Sequence, residues 1–347
     1  RRDMGWSTAT RPRMGVAALD DVVAATLARK SQRAPATPPG SGRFHRLEVI
    51  GAGTFGVVYR ARDRRTGEIV AMKCLRASDG GDAGRYLSDF AAEVSALEAC
   101  SRHPSIVQPR ASGHLDSEAF LAMEFAGPTL RYVMKHVRFG RRHTELEVRV
   151  LMRQLCAGAR RINRLGLMHR DLKPDNVLVD SHGNLKICDL GLSCSMADGP
   201  PYSSPVGTRG YRAPELLLGR TDYDEHVDSW ALGVMMAELL AGKHPFHGRS
   251  DTEHLSEILD LLGTADIKEW SGYDGRRLPG GCQPGSFLRN KFPCQVEARM
   301  KGPPTLLEAG FEVLSGLLRC NPEKRLTAEQ ALKHRWFKEA NPRATRS

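Results

Sequence analysis

Three glycines with the spacing G-x-G-x-x-G lie near the start of the chain, at Gly51, Gly53 and Gly56. Glycines at a turn remove Cβ atoms, so backbone N–H groups can close over the phosphates of a ligand. A dinucleotide-binding turn of this spacing would open a helix, whereas the β-branched Val57 and Val58 that follow here are typical of a strand. The segment therefore predicts a hairpin tip, either one that binds phosphate or a plain turn.

Lys73 and Glu93 are the charged residues that could work beside such a loop. Lys73 lies 15 residues after Val58 on the next predicted strand, where a lysine on the buried side needs an anionic partner. Glu93 lies three residues after Phe90 and four before Leu97, so it borders the apolar face of a predicted helix. We predict that the two residues pair; a surface position for each is the alternative.

A β-rich region followed by a helical region must position these side chains. Alternating apolar residues predict antiparallel strands between residues 44 and 72 and again near 120–123, with a turn at 65–67. Apolar residues at helical spacing predict helices at 144–165 and 227–241. They also predict a helix whose apolar face holds Leu87, Phe90, Val94 and Leu97. The expected fold class is α+β, a small β-rich lobe before a larger α-rich lobe.

A second group of polar residues gives a sharper signal. It consists of His169, Arg170, Asp171, Lys173 and Asn176, then Asp189, Leu190 and Gly191, then Ala213, Pro214 and Glu215. Together with the glycine loop and Lys73, these segments resemble, in order and spacing, the motifs of eukaryotic protein kinases over about residues 44–337. The resemblance implies the bilobal kinase fold, with an N-lobe at 44–126 and a C-lobe at 127–337.

The resemblance also implies a role in ATP- and Mg²⁺-dependent phosphoryl transfer for four charged or polar residues. Lys73, held by Glu93, would grip the α- and β-phosphates. Asn176 and Asp189 would hold the Mg²⁺ ions. Leu190 stands where the family usually has Phe, an apolar exchange that should leave Asp189 functional.

Three further residues are catalytic candidates. By the same resemblance, Asp171 would orient this hydroxyl and take its proton, and Lys173 would contact the γ-phosphate. Thr208 is the further catalytic candidate. Lys173 resembles serine/threonine kinases, because tyrosine kinases usually carry Ala or Arg in that stretch.

The nucleotide contacts implied by the resemblance come from the glycine loop, the strand that carries Lys73, the hinge and one C-lobe position. They are Ile50, Gly51, Ala52, Gly53, Thr54, Phe55, Gly56, Val57, Val58, Ala71, Lys73, Glu124, Ala126 and Leu178. Met123 would be the gatekeeper, and residues 124–126 the hinge. Cys188 is interpreted first as a small core residue and second as a reactive thiol.

Two further positions are predicted to be structural. Glu215 should pair with Arg325 and hold the substrate-side segment to the large lobe. Asp228 should support the backbone of the loop at 169–171.

Several segments resemble the cyclin-dependent kinases in particular. These are Tyr211 and Arg212, the stretch at 262–270 and a Gly/Pro-rich insert at 264–305. No ordinary helix connection needs that length, so a partner-docking insert is expected. The helix that carries Glu93 lacks the group's cyclin-contacting sequence, and the cyclin or cyclin-like partner is left open.

Gly207 and Arg212 bear on the choice of substrate. In proline-directed relatives, the residue before the segment's Thr takes a left-handed backbone and the Arg satisfies the displaced carbonyl. A substrate N–H then finds no acceptor, while Pro has no N–H to lose. The sequence therefore predicts a preference for Pro directly after the phosphorylated Ser or Thr. Gly207 alone is not diagnostic, since kinases without this preference also have Gly there.

The activation segment differs from that of the cyclin-dependent kinases in the arginines available to hold a phosphate. Ser203 aligns with a Thr whose phosphate is gripped by three arginines in cyclin-dependent kinases, and this chain keeps only Arg170. An alanine and a cysteine stand at the other two positions. Phosphorylation of Ser203 is therefore predicted to activate weakly or not at all. The alternative is that other arginines, such as Arg209 or Arg220, supply the missing charge.

The glycine loop also differs from that of many cell-cycle kinases. Thr54 and Phe55 stand where those kinases carry an inhibitory Thr-Tyr pair. Phe has no hydroxyl, so inhibition by tyrosine phosphorylation at this position is excluded. Thr54 remains a candidate, since added phosphate would repel the phosphates of ATP.

The positive charge is concentrated at the two ends of the chain. The 347 residues carry a net charge of +11. Residues 1–43 hold eight Lys or Arg against three Asp, and residues 338–347 hold three against one Glu. We therefore predict a basic N-terminal extension at 1–43 and a basic C-terminal tail at 338–347. These are interpreted as solvated tails, with docking or targeting as the alternative, and no direct nucleic-acid binding is expected.

Composition excludes several other classes. No run approaches the ~18 apolar residues of a membrane-spanning helix, so no membrane span or membrane partner is expected. The eight cysteines form no C-x-x-C pair, which argues against a zinc module or a disulfide scaffold. Free thiols, a reducing compartment and a location in the cytoplasm or nucleus are expected.

The resemblance favours an ATP-dependent kinase that phosphorylates Ser or Thr in proteins. A pseudokinase that acts as a scaffold is the first alternative. A kinase fold that acts on a small molecule is the second, and the segment ending at residues 213–215 argues against it because that segment forms a peptide platform in the family.

Overall fold

The computed structural model of the chain describes residues 42–53, 56–75, 83–115, 118–279, 287–293 and 306–338. Thr54, Phe55, most of the basic extension and most of the basic tail lie outside these residues. Only parts of the predicted insert at 264–305 are described, and its docking role stays a prediction.

The N-lobe is built on a five-stranded antiparallel sheet in the order β1-β2-β3-β5-β4. Its strands are β1 (Phe44–Gly53), β2 (Gly56–Asp63), β3 (Ile69–Cys74), β4 (Pro109–Leu115) and β5 (Glu118–Glu124). The pairing of β1 with β2 continues to Gly53 and Gly56. The predicted glycine hairpin is therefore present, with strand rather than helix after it.

A single long helix, α1 (Ala83–Cys100), accompanies this sheet among the described N-lobe residues. Phe90 and Leu97 are buried, as predicted, and so is Glu93. Leu87 was predicted to share the apolar face, and this is wrong, because its side chain is 46% exposed. The buried stripe is centred on Phe90, Glu93, Leu97 and Cys100, and Leu87 falls at its edge.

The C-lobe is mainly helical. Its helices are α2 (Leu130–Tyr132), continued by a π-helical turn (Val133–Val137), then α3 (Glu145–Arg164), α4 (Pro214–Leu217), α5 (His226–Ala241), α6 (Asp251–Leu262), α7 (Ala265–Lys268), α8 (Leu288–Lys291), α9 (Glu308–Leu317) and α10 (Ala328–Lys333). Four short strands pair as β6 (Leu167–Met168) with β9 (Cys194–Ser195), and β7 (Val177–Val179) with β8 (Leu185–Ile187).

Helices α3 and α5 form the centre of the C-lobe core. The predicted stripe on α3, with Leu151, Leu155 and Ile162, is buried. Helix α5 is buried almost all round, including Trp230. A helix in this position presents no solvent face, so its sequence is mostly apolar all round rather than striped, with buried polar exceptions such as Asp228. Together these helices give the catalytic loop a rigid base.

The hinge between the lobes depends on a glycine. Gly127 has φ +138°, and a Cβ atom there would lie 2.3 Å from the carbonyl oxygen of Val179. The next residue, Pro128, accepts a hydrogen bond from the Val179 N–H at 2.9 Å. The hinge is thus held against strand β7, at a distance that only a residue without a side chain permits.

The predicted pair of Glu215 and Arg325 is present and buried. Two guanidinium nitrogens of Arg325 lie 2.6 and 2.8 Å from the two carboxylate oxygens of Glu215. Their side chains are 0% and 2% exposed for Arg325 and Glu215 respectively. Arg325 also donates to the carbonyl groups of Arg319 and His226. This bidentate pair ties α4 to the loop before α10.

The described residues give two further results. None of their helices is both long and apolar enough to cross a membrane. The six described cysteines are all free thiols, as expected.

We expect Arg325→Met to lower the free energy of unfolding by about 3–5 kcal/mol, because it leaves the buried Glu215 carboxylate without a counter-ion. Urea denaturation of the purified protein measures the loss. The matched control is Lys324→Ala, which removes the neighbouring but exposed pair with Glu269 and should leave the stability nearly unchanged. Equal stabilities of the two variants would contradict the structural importance of the buried pair.

Candidate active site

A cleft of about 490 Å³ lies between the lobes, within the size range of nucleotide and small-molecule sites. Eleven of the fourteen predicted nucleotide contacts line it. These are Ile50, Gly51, Ala52, Gly53, Gly56, Val58, Ala71, Lys73, Glu124, Ala126 and Leu178. The gatekeeper candidate Met123 and Cys188 line it as well.

The other three predicted nucleotide contacts are not among the described residues that line the cleft. Thr54 and Phe55 lie outside the described residues. Val57 does not line the cleft, because alternate residues of β2 point to opposite faces of the sheet and Val58 takes the inner one. The backbone of Val57 stays at the hairpin, but its side chain is a poor candidate for a nucleotide contact.

Some residues of the cleft were missed from the sequence. They are Val107, Gly127, Pro128, Tyr132 and Asp175. Tyr132 could have been found, since it lies one helical turn after Thr129, whose hydroxyl caps α2. Val107 comes from a connection between α1 and β4, and no local pattern marks it as part of a site.

Three charged residues from three different elements meet at the back of the cleft. The Lys73 ammonium on β3 lies 2.6 and 2.7 Å from the carboxylate oxygens of Glu93 on α1. It also lies 3.1 Å from Oδ1 of Asp189. The predicted pairing of Lys73 with Glu93 is therefore present, and the surface alternative is wrong for both residues, which are buried.

The neighbouring charges in this cluster shift the pKa values of Lys73 and Asp189. Burial lowers the pKa of the Lys73 ammonium, but Asp189 and Glu93 outweigh it, so the pKa is raised and the lysine stays charged. Burial raises the pKa of Asp189, but Lys73 outweighs it, so the carboxylate keeps a lowered pKa and its negative charge. The site thus holds a fixed cation beside a carboxylate that can bind a metal ion.

Asp228 on α5 supports the catalytic loop, as predicted. Its carboxylate accepts the backbone N–H groups of His169 and Arg170, both at 2.8 Å, and the Asn163 side-chain amide at 3.1 Å. Arg170 has the uncommon backbone angle φ +65°. A buried carboxylate that accepts both N–H groups offsets the strain of this turn and presents Asp171 to the cleft.

The Asp171 carboxylate is surrounded by donors. Its Oδ1 accepts the backbone N–H of Thr208 at 2.8 Å and the Thr208 hydroxyl at 2.7 Å. Its Oδ2 accepts Lys173 Nζ at 2.7 Å and Asn176 Nδ2 at 3.0 Å. Lys173 Nζ also donates to the Thr208 hydroxyl at 2.6 Å. Lys173, Asn176 and Thr208 therefore converge on this carboxylate, where a substrate hydroxyl could replace the Thr208 hydroxyl.

Asn176 and Asp189 have the chemistry of a Mg²⁺ site. The Asn176 amide nitrogen donates both of its hydrogen bonds to Asp171, which leaves the amide oxygen for a metal ion. No group of three or more His, Cys, Asp or Glu side chains within the described ranges could hold a metal ion by itself. Mg²⁺ is commonly bound by one or two carboxylates together with substrate phosphates, so the two oxygen donors fit this ion.

Leu190 and Cys188, which flank Asp189, belong to the core. Leu190 is 2% exposed and packs in the main hydrophobic cluster. Burial, together with the nearby Asp189 charge, raises the pKa of the Cys188 thiol well above its usual range. A thiol in this environment is a poor nucleophile, which supports the interpretation of Cys188 as a small core residue.

Hydrogen bonds from Arg170 and Tyr223 hold the activation segment at Ser203. Arg170 Nη1 donates to the Ser203 hydroxyl and to the Tyr223 hydroxyl, each at 3.1 Å. The Tyr223 hydroxyl donates to the Ser203 carbonyl oxygen at 2.6 Å. Tyr223 was not foreseen, because nothing in its local sequence links it to Ser203.

The two arginines that were alternative partners for Ser203 are engaged elsewhere. Arg209 donates to Asp251, and Arg220 to Asp222. Arg170 is therefore the one arginine that contacts the Ser203 side chain among the described residues.

The Protein kinase domain family matches residues 44–337, most of the chain. The chain belongs to the protein kinase family. This kinase has the bilobal α+β fold that its sequence predicted, with the family's ion pair and catalytic loop in place.

Similar curated proteins indicate the group of protein kinases to which the chain is related. The sequence is 45% identical over 314 residues to the rice protein named "Putative cyclin-dependent kinase F-2" (Oryza sativa subsp. japonica), covering 86% of this chain and 91% of that protein. It is 43% identical over 305 residues to cyclin-dependent kinase G-2 of Oryza sativa subsp. indica, covering 85% of this chain but only 41% of that protein. It is 36% identical over 304 residues to cyclin-dependent kinase 10 of Rattus norvegicus, covering 85% and 80%. The chain is a cyclin-dependent-kinase-like serine/threonine protein kinase.

We expect Lys73→Met, Asp171→Asn and Asp189→Asn each to lower the rate of phosphate transfer by about 10²–10³-fold or more, because each removes a positioned charge. Transfer of labelled phosphate to a protein substrate measures the effect. The control is Lys333→Met, which removes an exposed lysine from α10 and should leave the rate unchanged. A wild-type rate for Asp171→Asn would show that the assigned base is wrong.

We expect Ser203→Ala to lower activity less than about tenfold, because a typical intramolecular hydrogen bond contributes only about 1 kcal/mol net. The Tyr223 bond to the Ser203 backbone is retained in this variant. Both proteins are assayed with and without an activating kinase and a panel of cyclins. A hundredfold loss, recovered in wild type only with phosphorylation plus a cyclin, would contradict this expectation.

Proposed function

We propose that this kinase transfers the γ-phosphoryl group of ATP, with Mg²⁺, to Ser or Thr residues that are followed directly by Pro. The observation that carries the proline preference is the conformation of Gly207. It has φ +75°, and a Cβ atom there would lie 2.3 Å from the Arg170 carbonyl oxygen. Its own carbonyl oxygen accepts a hydrogen bond from Arg212 Nε at 2.9 Å.

These contacts support a preference for Pro by leaving a substrate N–H without an acceptor. The Gly207 carbonyl is committed to Arg212, which also donates to the carbonyl of Val206 at 3.1 Å. A substrate residue other than Pro at this position would leave its N–H unpaired, which costs about 1–3 kcal/mol. Pro carries no N–H and avoids this cost.

The residues of the cleft divide the work of phosphoryl transfer. Lys73 would bind the α- and β-phosphates, and Glu93 keeps its ammonium in place. Asn176 and Asp189 would hold Mg²⁺, which when bound neutralises charge that develops on the phosphates. Lys173 would add a positive charge on the γ-phosphate side.

Asp171 would serve as the base for the acceptor hydroxyl. Its carboxylate already accepts a hydroxyl group, that of Thr208, at 2.7 Å. A serine hydroxyl of the substrate would take that position and be oriented for attack, with its proton directed at Asp171. Thr208 would then remain bound through its backbone N–H, at 2.8 Å from the carboxylate.

Two alternative functions lack comparable support. In a pseudokinase we would expect a missing or displaced phosphate or metal ligand. Here Lys73, Asn176 and Asp189 all line the cleft, and Asp171 is hydrogen-bonded to Asn176. For a small-molecule kinase, a structured peptide platform would have no purpose. Here the segment from Gly207 to Glu215 packs closely against the Arg170 carbonyl at its first residue and is bound to Arg325 at its last.

We also propose that basal activity does not need a cyclin. The names of the relatives mention a cyclin. A bound cyclin would be needed for this pairing only if α1 were displaced, with Glu93 away from Lys73. In this single chain the two side chains are already 2.6 Å apart. The assay of Ser203→Ala with the cyclin panel measures this basal activity directly.

We expect a Ser-Pro peptide to be phosphorylated with about 5- to 150-fold higher kcat/KM than a matched Ser-Ala peptide, the equivalent of one unpaired N–H. The measurement is steady-state kinetics of the purified kinase on the two peptides. Asp171→Asn is included to show that any turnover comes from this site. Equal kcat/KM values on the two peptides would refute the proline preference but not the kinase activity.

A further inference from the structure

A carboxylate on α6 contacts the arginine on which the proposed proline preference depends. Asp251 is the first residue of α6, 39 positions after Arg212 in the chain. Arg212 Nη1 lies 3.1 Å from its Oδ1 and 3.2 Å from its Oδ2. The segment that carries Gly207 and Arg212 is thus joined to α6 by a charged contact that no local sequence pattern predicts.

Arg212 needs this partner because its guanidinium is mostly removed from water. Its side chain is 16% exposed, and its Nε is used on the carbonyl groups of Val206 and Gly207. In the described part of the chain, Asp251 is the one carboxylate recorded in contact with it. A half-buried guanidinium without a carboxylate would move toward solvent and release these carbonyl groups.

Asp251 is itself held from a second side. Arg209 Nε donates to its Oδ1 at 2.9 Å, and Arg209 Nη1 donates to the Arg249 carbonyl oxygen. Asp251 also lies in the first turn of α6, where a negative charge is favourable. Its position is therefore fixed by the helix and by Arg209 independently of Arg212.

The other acids of the same helix have different partners. Glu253 accepts the Arg249 N–H at 2.8 Å. Glu257 accepts the His247 N–H at 2.5 Å and the Gly248 N–H at 3.1 Å. Neither contacts Arg209 or Arg212 in the structure. Of these three acids in the first two turns of α6, one contacts Arg212 and two order the loop that precedes the helix.

We propose that Asp251 is a positioning residue for substrate specificity, which holds Arg212 on the Val206 and Gly207 carbonyl groups and so denies an acceptor to any substrate N–H. The inference rests on the proposed proline preference. Without Asp251 the Gly207 carbonyl becomes free to accept a substrate N–H. The kinase should then gain activity on Ser-Ala peptides rather than simply lose activity on Ser-Pro peptides.

The experiment compares kcat/KM on matched Ser-Pro and Ser-Ala peptides for wild type and Asp251→Asn. The expected result is a fall of about tenfold in the Pro-to-Ala ratio, the equivalent of one hydrogen bond to a charged group. Glu253→Gln is the matched control, because it removes an acid from the same helical turn without touching Arg212. It should keep the wild-type ratio.

Two further variants separate positioning from a loss of structure. Asp251→Glu keeps the charge and should restore most of the ratio. Asp251→Ser is a second neutral variant that removes the carboxylate, and it should show the same lowered ratio. In Arg212→Ala, which already lacks the guanidinium, adding Asp251→Asn should have no further effect on the ratio.

The outcomes distinguish this inference from the proposed function. A wild type that prefers Pro, with an unchanged ratio in Asp251→Asn and Asp251→Ser, would overturn the inference and leave the proline preference intact. An equal fall in kcat/KM on both peptides would show a structural role only and would also overturn it. A wild type without any preference for Pro would overturn the proposed specificity, and the inference with it.

Discussion

The Lys73 ammonium joins the parts of this kinase that must come together for catalysis. It lies on the N-lobe sheet, and its two carboxylate partners come from α1 and from the C-lobe segment before the activation segment. A buried lysine is costly unless it is paired, so the sheet, the helix and Asp189 stabilise one another in a single arrangement. The position of α1 therefore follows the charge neutralisation between Lys73, Glu93 and Asp189.

A second series of contacts leads from the core to the surface that would meet the substrate. Asp228 on the buried helix α5 fixes the turn at Arg170, and the carbonyl of that residue leaves space only for a glycine at position 207. The left-handed Gly207 in turn directs its carbonyl to Arg212, and Arg212 reaches Asp251. Each step is a hydrogen bond or a steric limit, so a choice between substrates is coupled to the packing of the C-lobe.

The sequence predicted the fold and the polar residues of the site because both depend on local patterns. Periodicity gave the strands and helices, and residue type with spacing gave Lys73, Asp171, Asn176 and Asp189. It failed for Leu87 and Val57, where the edge of a stripe and the alternation of a strand decide exposure. It could not supply Tyr223 or Asp251, whose partners lie 20 and 39 residues away and are set by packing alone.

In the activation segment, Ser203 is held by hydrogen bonds to Arg170 and Tyr223. Three arginines around a phosphate order this segment in the relatives that the sequence resembles, but they also repel one another when the phosphate is absent. With Arg170 alone there is no such repulsion to overcome; its Nη1 donates to two hydroxyl groups and its Nε to the Leu192 carbonyl oxygen. The Tyr223 hydroxyl adds a bond to the Ser203 backbone, which does not depend on a phosphate. We therefore expect little activation from phosphorylation of Ser203, since the phosphate would find one arginine where the relatives that the sequence resembles have three.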